Sequence, residues 1–120
     1  MISKANESAG AAIKHAIETR NANMLSKLYT DDATLRVIDH NNPPSKPHEV
    51  RGRNAITTFW DDICSRAMTH KIDINATEGD RLTFSQSCTY PGGAKVFCVA
   101  LVELAGGKIA HQTIVQAWDE

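Results

Sequence analysis

The sequence predicts an α+β domain, with N-terminal helices packed on a mainly antiparallel sheet. Three observations predict it. Apolar residues recur at helical spacing through the first half of the chain, the period drops to two after His70, and glycine-bearing turns separate the last four runs.

The first helix rests on Ala9, Ala12, Ile13, Ala16 and Ile17, which fall at the i, i+3, i+4, i+7 and i+8 positions of one helical face. The segment Arg20-Asn21-Ala22-Asn23 interrupts it, and Asn21 suits the N-cap of a short second helix whose stripe is Met24, Leu25 and Leu28, with Tyr29 at its end. Residues 33–39 read as a strand in which Leu35, Val37 and Asp39 share one phase. Asn41-Asn42-Pro43-Pro44 and Pro47 then demand a loop, with a short edge strand near residues 49–51. A third helix opens at Gly52-Arg53-Asn54, Asn54 being its expected cap, and buries Ile56, Phe59, Trp60 and Ile63, while Asp61 and Asp62 lie opposite. From His70 onward, Ile72 and Ile74 alternate with Lys71 and Asp73, and Leu82, Phe84, Gln86 and Cys88 alternate with polar residues. Residues 94–104 form a long apolar strand expected to be covered on both faces, and residues 108–118 form the last strand. Turns at Gly79, Gly92-Gly93 and Gly106-Gly107 join these four into a meander.

Composition narrows the function classes. With 120 residues, 42% of them hydrophobic, the chain suits one domain over residues 1–120 with a core of its own. A net charge of −1 and scattered basic residues leave no basic face for nucleic acid. Cys64, Cys88 and Cys98 are odd in number and lack CxxC spacing, which predicts reduced, mostly buried thiols in a cytoplasmic protein. No apolar signal segment is expected in residues 1–7, and the longest apolar run, residues 96–102, is far short of a membrane span. No HxH or HExxH spacing points to a metal, and the paired glycines lead no helix, so no phosphate cradle is expected; no cofactor is implied.

Four local patterns resemble one superfamily. They are Leu28-Tyr29-Thr30-Asp31-Asp32-Ala33-Thr34, Val50-Arg51-Gly52-Arg53-Asn54-Ala55-Ile56, Gly107-Lys108-Ile109 and Gln116-Ala117-Trp118-Asp119. In this order, between these elements, they resemble the nuclear transport factor 2-like superfamily, which includes SnoaL-like and ketosteroid isomerase-like domains. The resemblance implies a cone-shaped fold with a strongly curved sheet, a homodimer formed through the outer sheet face, and an internal pocket for a small apolar molecule. Carried onto this chain, the pocket is lined by Ile13, Val37, Trp60, Gln86, Cys98, Ala100, Ile114, Gln116 and Trp118.

The resemblance also tests for one chemistry. The base, tyrosine and protonated aspartate of ketosteroid isomerases fall on Val37, Ile13 and Ala100, none of which transfers a proton, so that mechanism is not expected. Two residues remain as catalytic candidates. Asp39 shares the phase of Leu35 and Val37 and would be a base if it faces an apolar pocket; otherwise it opens the turn into Asn41-Asn42-Pro43. His111 lies on the last strand, but the alternation that turns Gln112, Ile114, Gln116 and Trp118 inward turns it outward. Of the other histidines, His15 flanks the first helix's apolar face, and His40, His48 and His70 are expected in solvent at loops or strand ends. Trp60 and Trp118 suit either core or pocket wall. Two functions therefore stand open: a cofactor-independent isomerase or lyase moving protons at carbon, and a non-catalytic ligand- or protein-binding module.

Overall fold

The computed structural model describes residues 4–119, with side chains from Ala9 onward, so the expectation of no signal segment in residues 1–7 lies largely outside the described part. The elements run α1 (Lys4–Glu18), α2 (Ala22–Ser26), β1 (Tyr29–Ile38), β2 (His48–Arg51), α3 (Arg53–Ser65), β3 (Thr69–Glu78), β4 (Arg81–Thr89), β5 (Lys95–Ala105) and β6 (Lys108–Trp118). Three helices cover one face of a six-stranded sheet of order β2-β1-β6-β5-β4-β3. Strands β3 to β6 form the antiparallel meander, and β1 joins it by pairing parallel to β6.

The apolar stripes meet between the layers. Ile13, Ala16 and Ile17 of α1 and Ile56 and Trp60 of α3 are buried against Leu35, Ile72, Leu82, Phe84, Ala100 and Ile114 of the sheet. Burial alternates along β5: Val96, Cys98, Ala100, Val102 and Leu104 turn inward, whereas Phe97 and Leu101 are exposed. The expectation that this strand is covered on both faces fails in the isolated chain, because the helices lie on one side only.

Three of the motifs quoted above prove to be parts of one junction. The Arg53 guanidinium donates through Nε and Nη2 to the carbonyl of Tyr29, at 3.2 and 2.7 Å, and its Nη1 sits 2.8 Å from Asp31 Oδ1. The Gly52 N–H donates to Ala33 O at 2.8 Å, and the Ile109 N–H donates to Leu28 O at 2.7 Å. Gly52 makes this possible by adopting φ 85°, a left-handed value that favours glycine. Helix α3 begins at Arg53 with Gly52 as its cap; Asn54, the expected cap, already lies inside the helix. Asn21 does cap α2, accepting the Met24 N–H at 3.0 Å.

Strand β1 begins at Tyr29, four residues before the expected start, because α2 ends at Ser26. The pairing of β1 with β6 shifts register between Tyr29 and Thr34, while Tyr29, Ala33, Leu35 and Val37, at even spacing, all turn inward.

Strand β3 is an edge, and α1 closes part of it. Glu18 Oε2 accepts the Ile72 N–H at 2.8 Å, and Lys14 Nζ donates to Ile72 O at 2.7 Å. Both main-chain groups that a foreign strand could use at Ile72 are thereby occupied. The Ile72 N–H, helped by the Lys14 ammonium, holds the Glu18 carboxyl below its usual 4.5. A depressed folded pKa means stability that is present above the unfolded value and lost as pH falls through the folded one. Glu18→Gln should therefore cost about 1 kcal/mol at pH 7, a charged hydrogen bond discounted for partial exposure. The gap to wild type in thermal melts should narrow as pH falls below the usual 4.5 of a glutamate and through the lower folded value.

Candidate functional site

A recess opens between the C-terminal half of α3 and the inner face of β3 to β6. Phe59, Trp60 and Ile63 wall it on the helix side, and Ile114 and Val96 on the sheet side. Its polar groups come from His70, Gln86, Cys88, Cys98 and Gln116. At the mouth, Tyr90 and Trp118 stack with ring centroids 6.0 Å apart and planes inclined by 30°, and Trp118 is 44% exposed. Arg66 reaches from the end of α3 to Tyr90 OH at 3.0 Å and to Asp62 Oδ2 at 2.6 Å, tying helix to rim. The space left is about 40 Å³, room for two or three waters.

The recess floor holds a cluster that the alternation alone did not reveal. His70 is 8% exposed; its Nδ1 lies 3.1 Å from Cys88 Sγ and 3.0 Å from Gln86 Nε2, which itself lies 3.2 Å from the same sulfur. The expectation of a solvated His70 is corrected here, since β3 starts at Thr69 and carries the ring under Cys88, its register partner on β4. The other ring nitrogen, Nε2, is buried without a partner. Cys98 on β5 supplies a thiol hydrogen bond to Cys88, which together with His70 holds the Cys88 thiol well below the usual range despite its burial; the same bond and burial push Cys98 up.

Behind the recess lies a second network. Trp60 Nε1 donates to Tyr29 OH at 3.0 Å, and Tyr29 OH donates to Gln112 Oε1. Burial pushes the Tyr29 phenol up, so the hydroxyl stays protonated. Sequence reasoning missed Tyr29, having placed it at a helix end; an aromatic between an apolar stripe and Asp31-Asp32 was the available signal.

Of the predicted lining residues, Trp60, Gln86, Cys98, Ile114, Gln116 and Trp118 come together at the recess. Ile13, Val37 and Ala100 do not; they are sealed in the core among the helix and strand side chains. The Trp60 N–H faces Tyr29, leaving only its ring to the recess, and Gln116 Oε1 accepts the Trp118 N–H at 3.1 Å. Asp39 does not continue the inward phase of Val37. Strand β1 ends at Ile38, and Asp39 Oδ1 accepts from Asn41 N, Asn42 N and Asn42 Nδ2, each at 2.9 Å, as the opening residue of a turn. It borders a shallow surface depression on the far side of Gln116 and Trp118. His111 is exposed on the outer sheet face, its Nδ1 2.6 Å from Thr34 Oγ1. Among the described residues, no group of three or more His, Cys, Asp or Glu could hold a metal ion.

A family model described as the SnoaL-like domain matches residues 11–112. The chain belongs to the SnoaL-like domain family. This SnoaL-like domain also has the nuclear transport factor 2-like cone fold. It is similar to an NTF2-like protein of unknown function from Mesorhizobium loti, at 18% identity and TM-score 0.76 over 96% of this chain and 93% of that one. A candidate ketosteroid isomerase from Kribbella flavida matches at 14% identity and TM-score 0.72, over 98% of this chain and 80% of that one. An LEH-like epoxide hydrolase from M. tuberculosis matches at 12% and TM-score 0.70, over 96% and 84%. At such identities these structures share the fold of the SnoaL-like domain and no more. Among curated proteins, none matches the sequence. Among the described residues, no helix of the SnoaL-like domain is long and apolar enough to cross a membrane.

Proposed function

We propose that this chain is one small-molecule-binding domain over residues 1–120, and that the recess under Trp118 takes a small, largely apolar molecule with one or two polar groups. The observation that carries this is the convergence of buried polar atoms on an aromatic-walled space, with His70 Nε2 left unpartnered there. Gln86 and His70 are the groups a ligand oxygen would meet. Since the recess has only about 40 Å³, any ligand larger than a few heavy atoms requires the Tyr90–Trp118 stack to swing outward. The neighbours named for isomerase and hydrolase chemistry support a ligand site in this fold.

A second reading adds chemistry to binding. With Nδ1 engaged by Gln86 and Cys88, His70 presents Nε2 as a proton carrier, which suits a cofactor-independent isomerase or lyase. Asp39 and His111, both outside the recess, take no part in that reading.

Trp118 makes the proposal measurable. Titration with a small cyclic enone such as 2-cyclohexenone should change Trp118 fluorescence saturably, and Gln86→Leu should weaken the response about tenfold, the worth of one buried hydrogen bond. A response that never saturates, together with native mass spectra of freshly isolated protein free of any adduct, removes the proposal. Conversion of the unconjugated 3-cyclohexenone into 2-cyclohexenone, absent in His70→Gln, selects the enzymatic reading.

We further propose a cytoplasmic homodimer that uses the outer sheet face. Its support is the exposure there of Phe97, Leu101 and Val115, at 50%, 52% and 43%.

A further inference from the structure

We infer that Cys88 and Cys98 form a peroxide-sensitive dithiol, in which Cys88 is the thiol attacked and Cys98 closes the disulfide. The two residues lie on adjacent antiparallel strands. Gln86 pairs with Cys98 and Cys88 with Val96, so the cysteines are diagonal neighbours on the same inner face of adjacent strands. Both line the recess, which gives a reagent of two heavy atoms a way in and room to sit.

The surroundings single out Cys88. His70 Nδ1, 3.1 Å from Sγ, can take the thiol proton, and Gln86 Nε2, 3.2 Å away, donates to the thiolate left behind. The unpartnered His70 Nε2, on a side chain more than nine-tenths buried at the recess, is a donor for the far oxygen of a peroxide. Thiols that sense oxidants are low in pKa, reachable and beside a second cysteine, and the recess is the route to this buried pair. Cys64 is the internal contrast: it sits half-buried on α3, where desolvation and Asp61 keep its thiol protonated.

The chemistry balances with hydrogen peroxide as oxidant. The Cys88 thiolate attacks one oxygen, the O–O bond breaks, and the departing hydroxide takes the proton from His70, leaving a sulfenic acid and one water. The Cys98 sulfur then attacks the Cys88 sulfur, the S–O bond breaks, and hydroxide leaves with the Cys98 thiol proton as a second water. Two thiols are oxidised to one disulfide and one peroxide is reduced to two waters. None of this requires the apolar ligand proposed above, so it stands or falls separately.

The test is intact-mass and peptide mapping of the reduced full chain under limiting hydrogen peroxide. Expected is a loss of about 2 Da with a Cys88–Cys98 cross-linked peptide and free Cys64, the pair reacting roughly tenfold or more faster than Cys64. In Cys98→Ser, dimedone should label Cys88 and the 2 Da loss should vanish; in Cys88→Ser, neither product should form. His70→Gln should slow oxidation of the pair without changing the far-ultraviolet circular dichroism. Wild-type mapping decides alone if a variant misfolds. Oxidation of Cys64 at an equal rate, Cys88 advancing to sulfinic acid without a cross-link, or both thiols staying free, each overturns the proposal.

Discussion

Trp60→Ala should lower the stability of this domain by about 3–5 kcal/mol, the cost of emptying a packed aromatic site. That is a large share of the roughly 5–15 kcal/mol that a small domain has. Trp60 is among the largest fully buried side chains; its ring meets Phe59 edge-on at 5.4 Å, and its N–H is held by Tyr29. Tyr29→Phe should cost about 2–4 kcal/mol, because it strands the Trp60 donor and the Gln112 acceptor together. In a Trp60→Phe background that second loss should shrink, since one of the stranded groups is already gone. Trp118→Ala, at the exposed rim, should stay within about 1 kcal/mol of wild type. Thermal melts and urea titrations measure all four, and a Trp60→Ala melt within a degree or two of wild type would contradict the core role assigned to that ring.

The second large effect concerns assembly. Light scattering at micromolar concentration should give twice 13.1 kDa for wild type, and Leu101→Glu should give 13.1 kDa. Phe97, Val99 and Leu101 lie across from Ala117, Val115 and Thr113 on β6, so the apolar residues form one patch rather than scattered points. A glutamate at the centre of such a contact would be desolvated without a partner, at a cost of several kcal/mol. Beside Leu101, Arg36, Arg51, Arg81, Glu49 and Glu103 line one depression of this face, and they carry both signs of charge that a two-fold copy could meet. A monomeric wild type ends the dimer reading; a variant that unfolds instead is replaced by Val115→Glu, whose site lies on the next strand.

Helix α1 and the meander were legible because burial on one side imposes a period, and glycines mark where it stops. The junction of β1 with the rest was not. Tyr29 follows Leu28 at the end of an apolar stripe, and nothing local says that the helix stops at Ser26. The parallel neighbour of β1 is the last strand, a pairing with no signature in either segment. The candidate site divides in the same way. Gln86, Cys98, Ile114 and Gln116 followed from alternation, whereas His70 is ambiguous by chemistry: an imidazole suits water as well as a site where Cys88 and Gln86 supply its partners. Asp39 failed as an inward carboxylate because Asn41 and Asn42 offer three N–H donors to it at once, a local competitor that ends the strand.

The parallel pairing of β1 with β6 also sets a timetable for synthesis on the ribosome. When α1, α2, β1, β2 and α3 have emerged, β1 has only the short β2 at its side. The inner face of the nascent helices has little to cover, and the Ile109 N–H is not yet present to donate to the Leu28 carbonyl. Hairpins β3–β4 and β4–β5 can form in order as they appear, but the sheet cannot join its two halves until β6 is free of the exit tunnel. Helix α1 can dock on β3 as soon as that strand appears, but the α3 face that meets Ile114 of β6 stays uncovered through that interval, so chaperones that hold apolar helices would find their substrate in the nascent chain rather than in the folded one.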